Sequence, residues 1–294
     1  MAKKIFFGNY KGGVGKTTST FYLAKYFAEL LKTSEGAKNK RVLIVDLDSQ
    51  CSMSEICIRS FDRDLQLDGI KDEQTLNYIL HIIYKNMQFK QNIMFDLEHI
   101  IKTCKNLHEH VDFIPTSLYY NGHMGLDGLI DDFHKDSLNN VFLLYEVVRL
   151  VENRYEMILF DCPPSNNILT TSAFLLSDYY LIPYISDNIS IRGVQHYIST
   201  VDKIYDKYCN IKTNVNGDYN KHIFKEKAKL LGMFECMRVR NENPRGDINQ
   251  LKVKRYTTVI KNLIDIQEQL SVGKISSEQG KYGDLAREIY CDIY

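Results

Sequence analysis

The chain has 294 residues, 44% hydrophobic and 25% charged, the balance of an ordinary soluble globular protein whose core suits one domain or at most two. Basic and acidic residues are equal at 37 each, so no global field draws the chain to nucleic acid or an anionic membrane, and any such contact needs a local patch. No apolar run approaches the roughly 20 residues of a membrane span, and Met1-Ala2-Lys3-Lys4 enters a strand too soon to leave room for a signal peptide.

In chain order, apolar β-like runs occur at Lys4–Gly8, Val42–Asp46, Val111–Pro115, Met157–Asp161, Tyr179–Pro183 and Lys229–Phe234. Helical patterns fill the spaces between. In Leu138–Val151, Leu138, Val141, Phe142, Tyr145, Val148 and Val151 recur at three- and four-residue steps. This alternation predicts an α/β fold, a mostly parallel twisted sheet with helices on both faces, as a single domain over 1–294. Residues 52–110 read as a mainly helical, polar excursion, and 210–222, rich in Asn with one Gly, as an exposed loop. Ligands of such sheets bind at the carboxyl ends of the strands.

The first βα turn carries Lys11-Gly12-Gly13-Val14-Gly15-Lys16-Thr17-Thr18. It follows an apolar run and precedes a helical pattern with Phe21, Leu23, Ala24, Phe27 and Leu31, the setting of a phosphate-binding loop. Three glycines let consecutive N–H groups converge on phosphate oxygens, and the helix that follows adds the positive end of its dipole. Lys16 is placed for the β- and γ-phosphates and Thr17 for Mg²⁺. The generic motif begins with glycine, where this chain has Tyr10, and it does not require Lys11, so the second lysine asks for its own explanation.

The second run continues as Val45-Asp46-Leu47-Asp48-Ser49-Gln50. Strand periodicity puts Asp46 and Asp48 on one side, where they either hold metal-bound water and position an attacking water or simply end a strand in solvent. The fourth run ends Phe160-Asp161-Cys162-Pro163-Pro164-Ser165, a carboxylate at a strand end followed by a rigid turn, the arrangement that serves the Mg²⁺ shell in P-loop enzymes. Seven cysteines (51, 57, 104, 162, 209, 236 and 291) are odd in number, scattered and free of any C-x-x-C, which argues against zinc, an iron–sulfur cluster or a disulfide framework and suits a reducing cytoplasm. His108 and His110 have no third ligand near them in sequence.

These motifs, with Leu181-Ile182-Pro183 and Ser190-Ile191-Arg192-Gly193-Val194 in the same order, make the sequence resemble the ParA/MinD family of deviant Walker A ATPases, most closely the partition branch. The resemblance implies two subunits sandwiching two ATP molecules, with Lys11 reaching the partner's nucleotide. It implies Lys16 on the β/γ-phosphates, Thr17 on Mg²⁺, Thr18 near the α-phosphate and the backbone of Gly12, Gly13, Val14 and Gly15 around the phosphates. It further implies Asp48 positioning the attacking water, Asp46 and Asp161 in the metal's outer shell, and Gly12 at the dimer contact where a side chain would clash. Tyr10, Ser49 and Asn166-Asn167 depart from the family pattern.

Residues 221–261 hold eleven Lys/Arg against four Asp/Glu, a balance of +7, densest at Arg238, Arg240, Arg245, Lys252, Lys254 and Arg255. The resemblance implies a surface there for DNA of any sequence; a solvated helical face is the other reading. The last fourteen residues carry Leu285, Ile289 and Ile293 on one stripe with a charge of −1, which suits packing on the core rather than a basic membrane helix. No room precedes the loop for a helix-turn-helix domain. The expectation is a cytoplasmic, nucleoid-associated Mg²⁺-dependent ATPase, dimeric with ATP, using a ParB-like partner to segregate a plasmid or chromosome. A MinD-like membrane ATPase, a nitrogenase-type reductase and a dethiobiotin-synthetase relative are the alternatives.

Overall fold

The computed structural model describes residues 1–33, 40–122, 124–133, 140–186, 188–209, 223–224, 226–237, 251–276 and 279–294. Among these, seven strands form one sheet: β1 (Lys3–Phe7), β2 (Val42–Asp46), β3 (Lys102–Thr103), β4 (Val111–Ile114), β5 (Met157–Asp161), β6 (Tyr179–Tyr184) and β7 (Lys229–Glu235). Their order is β3-β4-β2-β5-β1-β6-β7, parallel throughout except for the antiparallel β3–β4 pair. Six strands match the apolar runs to within one residue at either end. The two-residue β3 falls inside the stretch read as helical and has too few residues to carry a period.

The helices are α1 (Lys16–Thr33), α2 (Ser52–Phe61), α3 (Leu76–Phe89), α4 (Leu97–Ile100), α5 (Gly125–Phe133), α6 (Leu143–Val151), α7 (Ile168–Leu176) and α8 (Asn188–Cys209), followed by Leu263–Ser271 and Gly280–Ile293. The two-residue period of the strands sorts the core. Phe6, Leu43, Val45, Ile158 and Phe160 face one layer with α3, α5, α6, α7 and α8. Their neighbours Ile5, Phe7, Val42, Ile44, Met157 and Leu159 face the other, with α1, α2 and the two last helices. Alternate residues that are all apolar are what a sheet buried on both faces requires. The last helix seals the second layer: Leu285 and Ile289 are fully buried, and Tyr282 stacks on Tyr22 of α1 at 5.2 Å. No helix among the described residues is long and apolar enough to cross a membrane. The 210–222 loop expected from the sequence lies outside the described residues.

Candidate nucleotide site

β1 lies between β5 and β6, and its carboxyl end runs into the glycine loop. Gly13 and Gly15 take positive φ (71° and 84°), and α1 starts at Lys16 with no acidic residue in its first turn, so its positive end is left uncompensated. Gly15 is also crowded: a Cβ there would lie 2.9 Å from Leu263 Cδ1. At Gly12, by contrast, a Cβ would meet nothing within 4 Å, so the fold of this chain alone does not demand glycine.

Lys16 is 8% exposed. Its Nζ donates to the carbonyls of Asn9 at 3.1 Å and Lys11 at 3.2 Å, both within the head of the loop. Burial lowers its pKa, opposed by the charges of Asp161 and Asp48. Strand register explains the neighbouring carboxylates. Asp46 ends β2 directly opposite Asp161 on β5, and each is 1% exposed. Burial pushes both carboxyls well above the usual range, and in Asp161 the nearby Asp46 adds to the rise. Asp46 is partly compensated: Oδ2 accepts from the Ser54 N–H and hydroxyl, both at 2.8 Å, and Oδ1 accepts from the Asp48 N–H at 3.1 Å. Thr17 hydrogen-bonds Asp161. Asp48 lies beyond the strand, half-buried, with its Oδ1 accepting from the Gln50 N–H at 3.0 Å. The structure therefore gathers Lys16, Thr17, Asp46, Asp48 and Asp161 at one edge.

This donor set fits a hard divalent cation. Two buried carboxylates facing each other, with a threonine hydroxyl alongside, present oxygen only, and a cation would relieve both their repulsion and their desolvation. Among the described residues no group of three or more His, Cys, Asp or Glu side chains forms a self-sufficient metal cage. That suits Mg²⁺, which uses one or two carboxylates together with substrate phosphates. The space for those phosphates is a cleft of 330 Å³ lined by Gly12, Gly13, Lys16, Asp48, Pro164 and Gln267. An adjoining cleft of 320 Å³ shares Thr17 and Gln267 and continues past Thr18 between α2 and the helix Leu263–Ser271. A larger cavity of 500 Å³ opens at the amino ends of the strands, where neither the glycine loop nor the aspartate pair reaches it.

Among the residues that touch the site, Asn9, Thr20, Ser54 and Gln267 escaped the sequence reading. Asn9 sits immediately before the loop, where a polar residue ending an apolar strand is a signal that could have been used. Ser54 and Gln267 arrive from helices with no motif to mark them. Tyr10 and the Asn166-Asn167 pair, two of the departures from the family pattern, have local explanations. The Tyr10 ring packs edge-on against Tyr197 at 5.0 Å and near His196 at 5.4 Å. Asn167 caps α7 by accepting from the Thr170 N–H at 2.9 Å, and Asn166 accepts from the Thr171 hydroxyl at 3.1 Å. The structure offers no account of Ser49.

The expected basic surface is reached only in part. Arg238, Arg240 and Arg245 lie outside the described residues. Lys252, Lys254 and Arg255 are exposed, but Lys254 Nζ sits 2.5 Å from the Asp292 carboxylate and Arg255 hydrogen-bonds the Tyr184 hydroxyl.

The AAA domain family matches residues 2–215. A ParA family protein of Mycoplasma genitalium is 28% identical over 300 residues, covering 98% of this chain and 96% of that protein. A virulence plasmid ParA family protein of Chlamydia psittaci is 30% identical over 193 residues; the match covers 66% of this chain and 61% of that protein, less than two thirds of its length. Among solved structures, a putative plasmid partition protein from Borrelia burgdorferi bound to AMPPNP superposes with a TM-score of 0.62 at 19% identity, covering 100% of this chain and 98% of that one.

Proposed function

This chain belongs to the ParA/Soj-type partition ATPases within the AAA domain family, and from that premise we propose that it hydrolyses ATP with Mg²⁺ as a sandwich dimer that binds DNA without sequence preference. A ParB-like partner on the cargo would stimulate turnover and release the dimer from DNA. Repeated release would then bias movement of a plasmid or chromosome.

The roles follow from what each residue can reach. The N–H groups of the glycine loop and the start of α1 hold the phosphates. Lys16, already held at the loop by two carbonyls, exchanges them for phosphate oxygens. Asp48 orients the attacking water from the mouth of the cleft, where it is half-buried rather than locked into the sheet. Asp46 and Asp161, with Thr17, would hold the Mg²⁺ shell. The metal would supply neutralisation of the charge that develops between the β- and γ-phosphates. Lys11 would act on the partner's nucleotide, a contact of the arginine-finger class worth about 10³–10⁵ in rate. The dimer rests on Lys11, the family's second loop lysine, and Gly12 beside it is crowded by nothing within this chain, which leaves room there for a second copy.

The test is binding to random-sequence duplex DNA with ATP, ADP or no nucleotide, over a salt series. ATP-dependent binding whose log K falls with a slope near about −4.5 against log salt, the value for about five phosphates, supports the reading. Intact ATP binding with no DNA binding in any nucleotide state removes it, in favour of an ATPase that positions cargo on a membrane or protein scaffold.

A further inference from the structure

Beyond the glycine loop, one side chain ties the head of the site together. Asn9 follows β1 and is fully buried. Its Nδ2 donates to the Pro183 carbonyl on β6 at 2.9 Å, and its Oδ1 accepts from the Lys11 N–H at 3.0 Å. The backbone ladder between β1 and β6 runs as far as the Gly8 N–H, which donates to Leu181 at 3.2 Å. There the main chain leaves the sheet for the loop. The Asn9 amide then supplies the donor that the next carbonyl on β6 would otherwise lack. Its other end closes a turn on the residue two further along, the habit of an asparagine side chain.

The geometry points to Asn9 as the positioning residue that aims Lys11 out of the loop. Its amide both donates to Pro183 and accepts from the Lys11 N–H, so the backbone of Lys11 is fixed to the sheet. The Lys11 N–H is thereby committed to Asn9, and the N–H groups open to phosphate begin at Gly12. Lys16 takes its backbone position from the start of α1, and its Nζ donates to the main-chain carbonyls of Asn9 and Lys11, which a change of the Asn9 side chain does not remove. The Asn9 amide itself bonds the Lys11 N–H, so it bears on Lys11 more directly than on Lys16.

No isostere does both jobs. Aspartate keeps the acceptor but sets a second oxygen against the Pro183 carbonyl, and it buries a further carboxylate. Alanine removes both bonds and leaves the Pro183 carbonyl and the Lys11 N–H unpaired. Serine retains an acceptor of the weaker turn-forming kind and loses the donor to β6. Tyr10, between the two anchored residues, is held from the other side by Tyr197 and His196 of α8.

The inference rests on the proposed role of Lys11 and is tested by a double-mutant cycle in the full chain. Asn9→Ala, Lys11→Ala and the double variant are compared for ATP affinity with a fluorescent ATP analogue, for steady-state ATP turnover, and for thermal unfolding. Asn9→Ala is expected to keep ATP affinity within about three-fold, because the inward site survives. Its turnover should fall roughly 10- to 100-fold, the effect of misplacing a reacting group by about an ångström. The double variant should turn over no more slowly than Lys11→Ala alone, because Asn9 acts through Lys11. Asn9→Ser, which keeps the acceptor, should recover part of the loss, and it carries the cycle if the alanine variant does not fold.

A purely structural asparagine would lower the unfolding temperature and ATP affinity, and its cost would add to that of Lys11→Ala; that result overturns the proposal. If Lys11→Ala is slow while both Asn9 variants turn over at the parent rate, the proposal fails and the dimer reading stands. If Lys11→Ala itself turns over at the parent rate, the dimer reading fails and takes the proposal with it.

Discussion

The nucleotide edge and the basic C-terminal segment handle charge in opposite ways. At the edge, Asp46, Asp161 and Lys16 are all within 8% of full burial, and strand register or the loop backbone fixes each one. In the segment, Lys252, Lys254 and Arg255 are exposed, and Lys254 is paired through a long side chain to Asp292, 38 residues away. Charge held by buried backbone is expensive to leave unpaired, so it specifies a ligand. Charge on flexible exposed stems can be satisfied by any passing partner, so its count alone specifies little.

The contrast can be broken most forcefully at Lys16. Lys16→Ala should abolish ATP binding, read as more than about 100-fold weaker affinity for a fluorescent ATP analogue, since it leaves two carboxylates and the phosphates without their cation. Asp48→Ala should lower steady-state turnover by roughly 10²-fold or more with ATP affinity retained, because it acts in the transition state rather than in binding; loss of ATP binding in that variant would contradict its water-positioning role.

The two glycines sharpen the comparison within the edge itself. Gly15→Ala forces a left-handed backbone and a contact with Leu263, and should destabilise the monomer by about 1–3 kcal/mol in thermal or denaturant unfolding. Gly12→Ala should change monomer stability by less than about 0.5 kcal/mol and yet weaken ATP-dependent dimerisation, measured by sedimentation. If Gly12→Ala dimerises normally, the outward reading of that position is wrong.

The smaller effects belong to the exposed region. Lys252→Ala and Arg255→Ala should each reduce the salt slope of DNA binding by about one, whereas Lys254→Ala should reduce it less, because its ammonium is already engaged by Asp292. Equal losses at all three would mean that the pair opens on DNA. Asp292 also gives a pH test. Burial alone would raise its pKa, but hydrogen bonds from Lys254 and Tyr256 outweigh that and leave it below the ordinary carboxylate value. A carboxyl depressed in the folded state adds stability above its unfolded pKa, near about 4, and loses it as pH falls through the lower folded value. Asp292→Asn should therefore flatten the acid side of a stability–pH curve; an unchanged acid limb would show that the pair contributes nothing.

The sequence by itself determined six of the seven described strands and the candidate site motifs, because both are written locally. Val42–Asp46 and Met157–Asp161 are continuous apolar runs ending in an acid, and a strand so composed has only the interior of a parallel sheet in which to lie. The glycine loop declared itself by spacing alone, and the apolar stripe of the last helix foretold that it would pack on the core, as it does against α1. Only the tertiary structure decided which groups meet. The register that sets Asp46 opposite Asp161, the Ser54 that compensates one of them, the Pro183 carbonyl that anchors Asn9 and the Asp292 that occupies Lys254 all join positions distant along the chain. Such pairings arise from packing two layers of helices on one twisted sheet, and no local period or motif encodes them.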